Sequence, residues 1–262
     1  MADQNFDELA ERFERNLYGN PRGQIRLQLV TDALLEDCPS VIHSHRLRVL
    51  DAGCGIGQMT RLLASHGHHV VSADVSSVLL ARARERITQE NIAWLDNIRF
   101  IQSSVQQLDQ HIEGTFDLVI FHAVLEWMEN PCEGLQSLLP WLRPGGELSL
   151  MFYNQHSLVF KNLLRGNFEK VDKENFRGES GSLTPINPLL PEKVEQWLHD
   201  GGIEIYSRRG IRTFYEYMDQ TMHPANKKTA SVEDIIRLEK IFGREEPYRS
   251  LGRYQLWHCR KK

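Results

Sequence analysis

The sequence predicts an α/β fold, a doubly wound and mostly parallel seven-stranded sheet with N-terminal helices and an inserted lid after the fifth strand. Three observations carry this expectation. Short apolar runs alternate with helix-compatible stretches from residue 47 onward, the order of a parallel sheet wrapped by helices. A glycine-rich segment, Asp51-Ala52-Gly53-Cys54-Gly55-Ile56-Gly57, joins the first run to the first of those helices. Two strand-like runs near the C-terminus follow a long irregular stretch, which fits an antiparallel strand near one edge.

Leu47-Arg48-Val49-Leu50 is the first strand, and Met59 to Ala64 is good helix sequence after the glycine loop. Val70 to Asp74 is the second strand and Ser77 to Ile87 its helix, Ile98 to Ile101 the third strand, and Phe116 to His122 the fourth, followed by a helix from Glu133 to Leu142. Arg143-Pro144-Gly145-Gly146 forces a turn into a fifth strand, Glu147 to Phe152. From Asn154 to Leu190 the chain is polar, rich in Gly, Ser, Asn and Pro, and too long for an ordinary connection, so it reads as a lid or a disordered segment. A helix from Glu192 to Asp200 stops at Gly201-Gly202, the strand Ile203 to Tyr206 follows, and a helix from Val232 to Phe242 precedes the last strand, Tyr254 to His258.

With 262 residues the chain can bury a full core as one domain. No segment has the uninterrupted apolar length that spans a bilayer, and the first residues are acidic and polar, so a cytoplasmic protein without membrane contact is expected. Cys38, Cys54, Cys132 and Cys259 lack C-x-x-C spacing and read as reduced thiols. His66-Gly67-His68-His69 has no acidic or cysteine partner at ligand spacing, so no metal is expected there. A formal charge of −4 gives no global pull toward nucleic acid; such a partner would need a local basic surface.

The glycine loop narrows the cofactor. Dinucleotide sites space their glycines G-x-G-x-x-G, whereas here they run G-x-G-x-G, with Gln58 where the last would fall. Asp51 stands two residues before the first glycine, where a carboxylate would repel a pyrophosphate but suit the ammonium and sulfonium of S-adenosylmethionine. The expected contacts are Asp51, Gly53, Cys54, Gly55 and Gly57 in the loop and Asp74 on the ribose hydroxyls with Val75 beside it. Ser103, Ser104 and Val105 would lie beside the adenine, and His122 would line the reactive end. A nicotinamide oxidoreductase and a non-catalytic cofactor-binding regulator are the readings from other classes.

Glycines, acids and strand order together resemble the class I S-adenosylmethionine-dependent methyltransferase fold, a Rossmann-like one, across residues 45 to 153. The segments around that core add to this. Asn5-Phe6-Asp7, Asn16-Leu17-Tyr18-Gly19, Gly23-Gln24-Ile25-Arg26, Phe121 to Trp127, Leu148 to Asn154, Gly166-Asn167-Phe168 and Leu251-Gly252-Arg253-Tyr254 look like the bacterial tRNA 5-carboxymethoxyuridine methyltransferase family, nearly end to end. Cys54 departs from a family glycine, at a position that need not take a positive φ. The resemblance implies one methyltransferase domain over 1–262: an N-terminal helical segment (1–44), a cofactor core (45–153), a lid (154–190) and the C-terminal part of the sheet (191–262). It also implies that Arg26 pairs with the cofactor's methionine carboxylate, and that the reaction methylates the carboxylate of 5-carboxymethoxyuridine at the wobble position of tRNA.

That chemistry asks for positioning. A free carboxylate has a reference pKa near ~4, so the nucleophile is already ionised and needs no general base. No catalytic residue is therefore assigned, and the acceptor needs donors on its other oxygen, for which Tyr18, Tyr153, Asn154, Arg209 and Arg212 are candidates. Arg208-Arg209-Gly210-Ile211-Arg212, with Phe214, Tyr215 and Tyr217 to stack an unpaired base, is the expected grip on the anticodon loop. Lid cations from Lys161 to Arg177, and Lys227 and Lys228, would supplement it. The alternative on the same core is a small-molecule carboxyl or hydroxyl O-methyltransferase.

Overall fold

The computed structural model describes Asp7 and residues 20–178, 184–221 and 231–262, without the side chains of 219–221. Helix α1 (Pro21–Asp37) begins where the Asn20 side chain accepts the Gly23 N–H and Pro21 supplies a preset first turn. A single turn, α2 (Ser40–His43), leads into β1 (Arg48–Ala52). Then come α3 (Gln58–Ser65), β2 (His69–Asp74), α4 (Ser77–Asn91), β3 (Ile98–Gln102), β4 (Phe116–His122), α5 (Pro131–Leu138) and β5 (Leu142–Tyr153). Beyond lie α6 (Gln155–Leu164), α7 (Phe168–Asp172), α8 (Pro191–Asp200), β6 (Ile203–Ile211), α9 (Tyr215–Thr221), α10 (Val232–Phe242) and β7 (Tyr254–Lys261).

The seven strands form one sheet in the order β3-β2-β1-β4-β5-β7-β6. All neighbours are parallel through β5, and β7 runs antiparallel to both β5 and β6. Helices cover both faces, so the central strands are buried over most of their length and alternate residues feed opposite layers: Val119 and Phe121 of β4 pack with α5 and α8, Leu118 and Ile120 with α1 and α3. The direction of winding reverses between β1 and β4, which opens a crevice at their carboxyl ends.

Three sequence expectations change. The turn at Arg143-Pro144-Gly145-Gly146 is an outward loop inside β5, where the register against β4 jumps from Phe116↔Leu142 to Leu118↔Glu147. The polar stretch after Asn154 starts with helices α6 and α7, because the Asn154 side chain caps α6 by accepting the His156 N–H. Strand β6 runs on through Ile211 and carries most of the expected arginine cluster into the sheet. Among the described residues, no helix is long and apolar enough to cross a membrane, and no group of His, Cys, Asp and Glu could hold a metal ion. His68 is buried: its Nδ1 accepts the Leu47 N–H, which leaves Nε2–H to donate to the Val41 carbonyl.

Candidate active site

A cavity of about 410 Å³ opens at the carboxyl ends of β1, β2 and β4, a volume suited to a nucleoside-sized ligand. Its floor is the glycine loop. Gly53 has φ +74, and a Cβ there would lie 2.3 Å from Val124 Cγ2, so this position requires glycine twice over. The Gly53 and Cys54 amides both donate to the Ala73 carbonyl, at 2.7 and 3.0 Å, the Gly57 amide donates to Cys54, and the Gly55 amide to Asp74 Oδ2 at 2.8 Å. These amides are spent on the protein, so the loop is not the phosphate cradle of a dinucleotide site. Cys54 sits between the left-handed glycines without taking a positive φ itself.

Two buried acids face this floor. Asp51 accepts from Thr60 Oγ1 at 2.6 Å, and Thr60 in turn accepts from Ser72 at 2.8 Å. Burial lifts the Asp51 carboxyl to about 6, against the Thr60 hydrogen bonds and with some repulsion from Asp74. Asp74 takes the Gly55 and Ser76 amides, one on each oxygen, and burial raises its carboxyl as well. Among the described residues no basic side chain pairs with either. A cationic ligand would relieve both, and the Asp74 carboxylate retains acceptor capacity for a hydroxyl. This is the chemistry of S-adenosylmethionine.

The opposite wall is basic. Glu216, with a side chain only 2% exposed, accepts from Lys161, Arg212 and Arg253 together. Burial alone would raise its carboxyl, but Arg253, Arg212 and Lys161 outweigh that and hold it near about 2. Arg212 Nε and Arg253 Nε are buried without a hydrogen-bond partner, and both residues line the cavity. Arg253 stacks 4.7 Å from the Tyr153 ring, and Arg26 lies 5.5 Å from that of Tyr254. Burial would also raise the Tyr254 phenol, yet Arg26, Arg253 and Arg212 lower it, a sign of strong local positive potential. His122 links the two ends; its Nε2 lies 2.8 Å from Ser149 Oγ, and burial, with repulsion from His258 and Arg26, lowers it to about 3, so it is a neutral imidazole at pH 7.

Residues 50–150 match a family model described as a methyltransferase domain. Over 97% of this chain and 95% of the relative, the sequence is 39% identical to the tRNA 5-carboxymethoxyuridine methyltransferase of Escherichia coli (strain K12). The chain belongs to the tRNA 5-carboxymethoxyuridine methyltransferase family. It is an S-adenosylmethionine-dependent methyltransferase. The ubiquinone biosynthesis O-methyltransferase of Coxiella burnetii (strain RSA 331 / Henzerling II) is 25% identical, over 80% of this chain and 88% of that one. In fold, the chain is similar to the magnesium protoporphyrin IX methyltransferase from Synechocystis PCC 6803 solved with bound SAH, with a TM-score of 0.64 at 16% identity over 98% of this chain and 96% of the other.

The structure of the methyltransferase brings most of the sequence-derived residues to this one cavity. Arg26, Asp51, Gly53, Cys54, Gly55, Asp74, Val75, Ser103, Ser104, Val105 and His122 line it, as do Tyr153 and Arg212. Gly57 stands behind the wall: at φ +74 it starts α3, and a Cβ there would come within 2.9 Å of Ala83 Cβ. Two candidates for the acceptor face elsewhere. Arg209 is turned to the α1 side of β6, its Nε donating to Asp37 at 2.6 Å and a terminal nitrogen to Glu36 at 3.0 Å. Asn154 Nδ2 is taken by the Ser250 and Gly252 carbonyls, both at 2.8 Å, so this side chain ties β5 to the segment before β7. Tyr18, Lys227 and Lys228 lie outside the described residues.

The aromatic neighbours of the arginine cluster are packing residues. Tyr217 is buried, donating to the Leu251 carbonyl at 2.8 Å with its ring edge-on to Phe160, and Phe214 and Tyr215 pack on the α1 layer. Of the lid cations, Lys161 belongs to the site itself, Lys173 pairs with Glu169 and Arg177 with Glu129. Glu216, Arg253 and Glu126 carry no assigned role in the sequence reading, and Lys161 is expected there only among the lid cations. One signal pointed to Glu216: it follows Arg212 by four residues, the spacing of an ion pair across one helical turn.

Proposed function

We propose that this methyltransferase acts on the carboxylate of 5-carboxymethoxyuridine at the wobble position of tRNA, in the anticodon loop, and forms the methyl ester. The observation that carries the reading is the buried group in which Lys161, Arg212 and Arg253 share the single carboxylate of Glu216 beside the cavity. Three cations against one anion leave positive charge that a carboxylate acceptor would balance and a neutral hydroxyl would not. The name borne by the Escherichia coli relative supports the same acceptor.

In this reading Arg26 takes the methionine carboxylate, and Asp51 with Gly53, Cys54 and Gly55 surrounds the cationic end. Asp74 and Val75 hold the ribose, Ser103, Ser104 and Val105 flank the adenine, and Gly57 fixes the loop from behind. The bound cofactor supplies an electrophilic methyl group. The chain's own contribution is placement: Arg212 and Arg253 hold one oxygen of the acceptor carboxylate, and Tyr153 closes that side, leaving the other oxygen free to react. An ionised acceptor needs no proton removed, which agrees with a neutral His122 in a lining role.

Nucleoside mass spectrometry of tRNA, before and after incubation with the protein and methyl-labelled cofactor, tests this. Loss of 5-carboxymethoxyuridine with matching gain of its labelled methyl ester is expected. Label entering a small carboxylic or hydroxylic metabolite instead, with acceptor binding insensitive to salt, would replace the reading with a small-molecule O-methyltransferase.

A further inference from the structure

We propose that Glu126 is a specificity-determining residue that reads the acceptor ring as a uracil, its carboxylate accepting the imide N–H at N3. This rests on the tRNA nucleoside reading above. Glu126 lies in the one-turn helix Leu125–Trp127 just after β4, lines the cavity, and is 1% exposed. The backbone N–H groups of Tyr153 and of Glu126 itself favour the ionised form of its carboxyl, yet Oε2 is buried with no hydrogen-bond partner. A buried carboxylate oxygen left this way is costly, so the site is incomplete without a donor from a ligand.

Position in the sheet says which ligand. The glycine loop and Asp74 hang from the ends of β1 and β2, whereas Glu126 follows the end of β4, near the Tyr153 backbone at the end of β5 and under the charge of Arg26 and Arg253. It therefore faces the acceptor. With the acceptor's anionic arm engaged by Arg212 and Arg253, the remaining uracil ring presents two carbonyls and one donor, the N–H between them. An ionised carboxyl can only accept, so that N–H is its complement in the ring. Cytosine, whose N3 is itself an acceptor, would meet Glu126 lone pair to lone pair. Burial raises the Glu126 carboxyl to about 7, against the pull of Arg26 and Arg253, so the discrimination is expected in full above that pH, where the carboxyl is ionised and can only accept.

The test uses the full-length wild-type and Glu126→Gln proteins with two synthetic anticodon stem-loops, one carrying 5-carboxymethoxyuridine and the other its N3-methyl derivative. Glutamine keeps the shape of the side chain and places an amide N–H where Oε2 was, donor against donor. Wild type is expected to favour the N–H RNA in kcat/KM by roughly 10- to 100-fold. E126Q is expected to lose a similar factor on that RNA and little on the methylated one, with S-adenosylhomocysteine affinity by calorimetry unchanged. Three results overturn the inference alone: wild type treats both RNAs alike; E126Q loses equally on both; or E126Q weakens S-adenosylhomocysteine as much as methylation, which would place Glu126 on the cofactor's ammonium. Failure of wild type to methylate the first RNA would overturn the nucleoside reading and this inference with it.

Discussion

Replacing Glu216 by Gln removes a charge and little else, so its effect follows from the electrostatics of the wall. The carboxyl titrates near about 2 in the folded chain against an ordinary value of 4.5, because Arg253, Arg212 and Lys161 outweigh the burial that would raise it. A depressed carboxyl stabilises the fold fully above its unfolded value and loses that contribution as pH falls through the folded one. The gap corresponds to about 3 kcal/mol at neutral pH, the size expected when one partner of a buried ion pair is deleted. Urea unfolding of wild type and Glu216→Gln should therefore show a loss of about 3 kcal/mol at pH 7, with equal m-values. The same loss is expected at pH 6, since both conditions lie above the unfolded value. In a thermal scan this is a drop of roughly 6–12 °C. A loss below about 1 kcal/mol, or one that shrinks between pH 7 and 6, would mean that the three cations do not hold Glu216 ionised, and the charged wall would have to be redrawn.

Asp74→Ala takes away a buried carboxylate that lines the cavity beside the glycine loop; calorimetry should show S-adenosylhomocysteine binding weakened ~10- to 100-fold, and unchanged affinity would remove Asp74 from the site. Arg212→Ala should lower kcat/KM for tRNA by roughly 10- to 100-fold while sparing cofactor affinity; equal losses in both would count against an acceptor role. His122→Ala should leave the shape of the pH–rate profile unaltered from pH 6 to 9, since the imidazole titrates at about 3; disappearance of a limb in that range would make His122 a base and refute its lining role.

Much of the fold was legible because apolar periodicity and glycine placement are local. Strands β1 to β5 appear in the sequence within a few residues of their ends, apart from the loop inside β5, and the glycine-loop floor of the cavity was legible for the same reason: Asp51, the glycines and Asp74 sit on consecutive strand ends within one βαβ unit. The basic wall obeys no such rule. Lys161 comes from α6, Arg212 from the turn after β6, Glu216 from α9 and Arg253 from the residue before β7. Only the Arg212–Glu216 pair has a spacing that sequence alone can display.

The arginine cluster shows why composition misdirects here. Because β6 continues through it, successive side chains alternate between faces: Arg208 pairs with Glu195 of α8, and Arg209 with Asp37 and Glu36 of α1. Arg212 escapes that alternation by standing just past the strand, at φ +60, where a non-glycine backbone is strained unless held. Glu239 holds it. From α10, its carboxyl accepts the Thr213 amide and hydroxyl at 2.7 and 2.9 Å and the Phe214 and Tyr215 amides at 3.1 and 2.8 Å, tying down the turn that follows Arg212 and the start of α9. Of the three arginines, Arg212 thus reaches the cavity, and the turn that follows it is fixed by a carboxylate 27 residues further along the chain, whose side-chain hydrogen bonds among the described residues are all local to that turn.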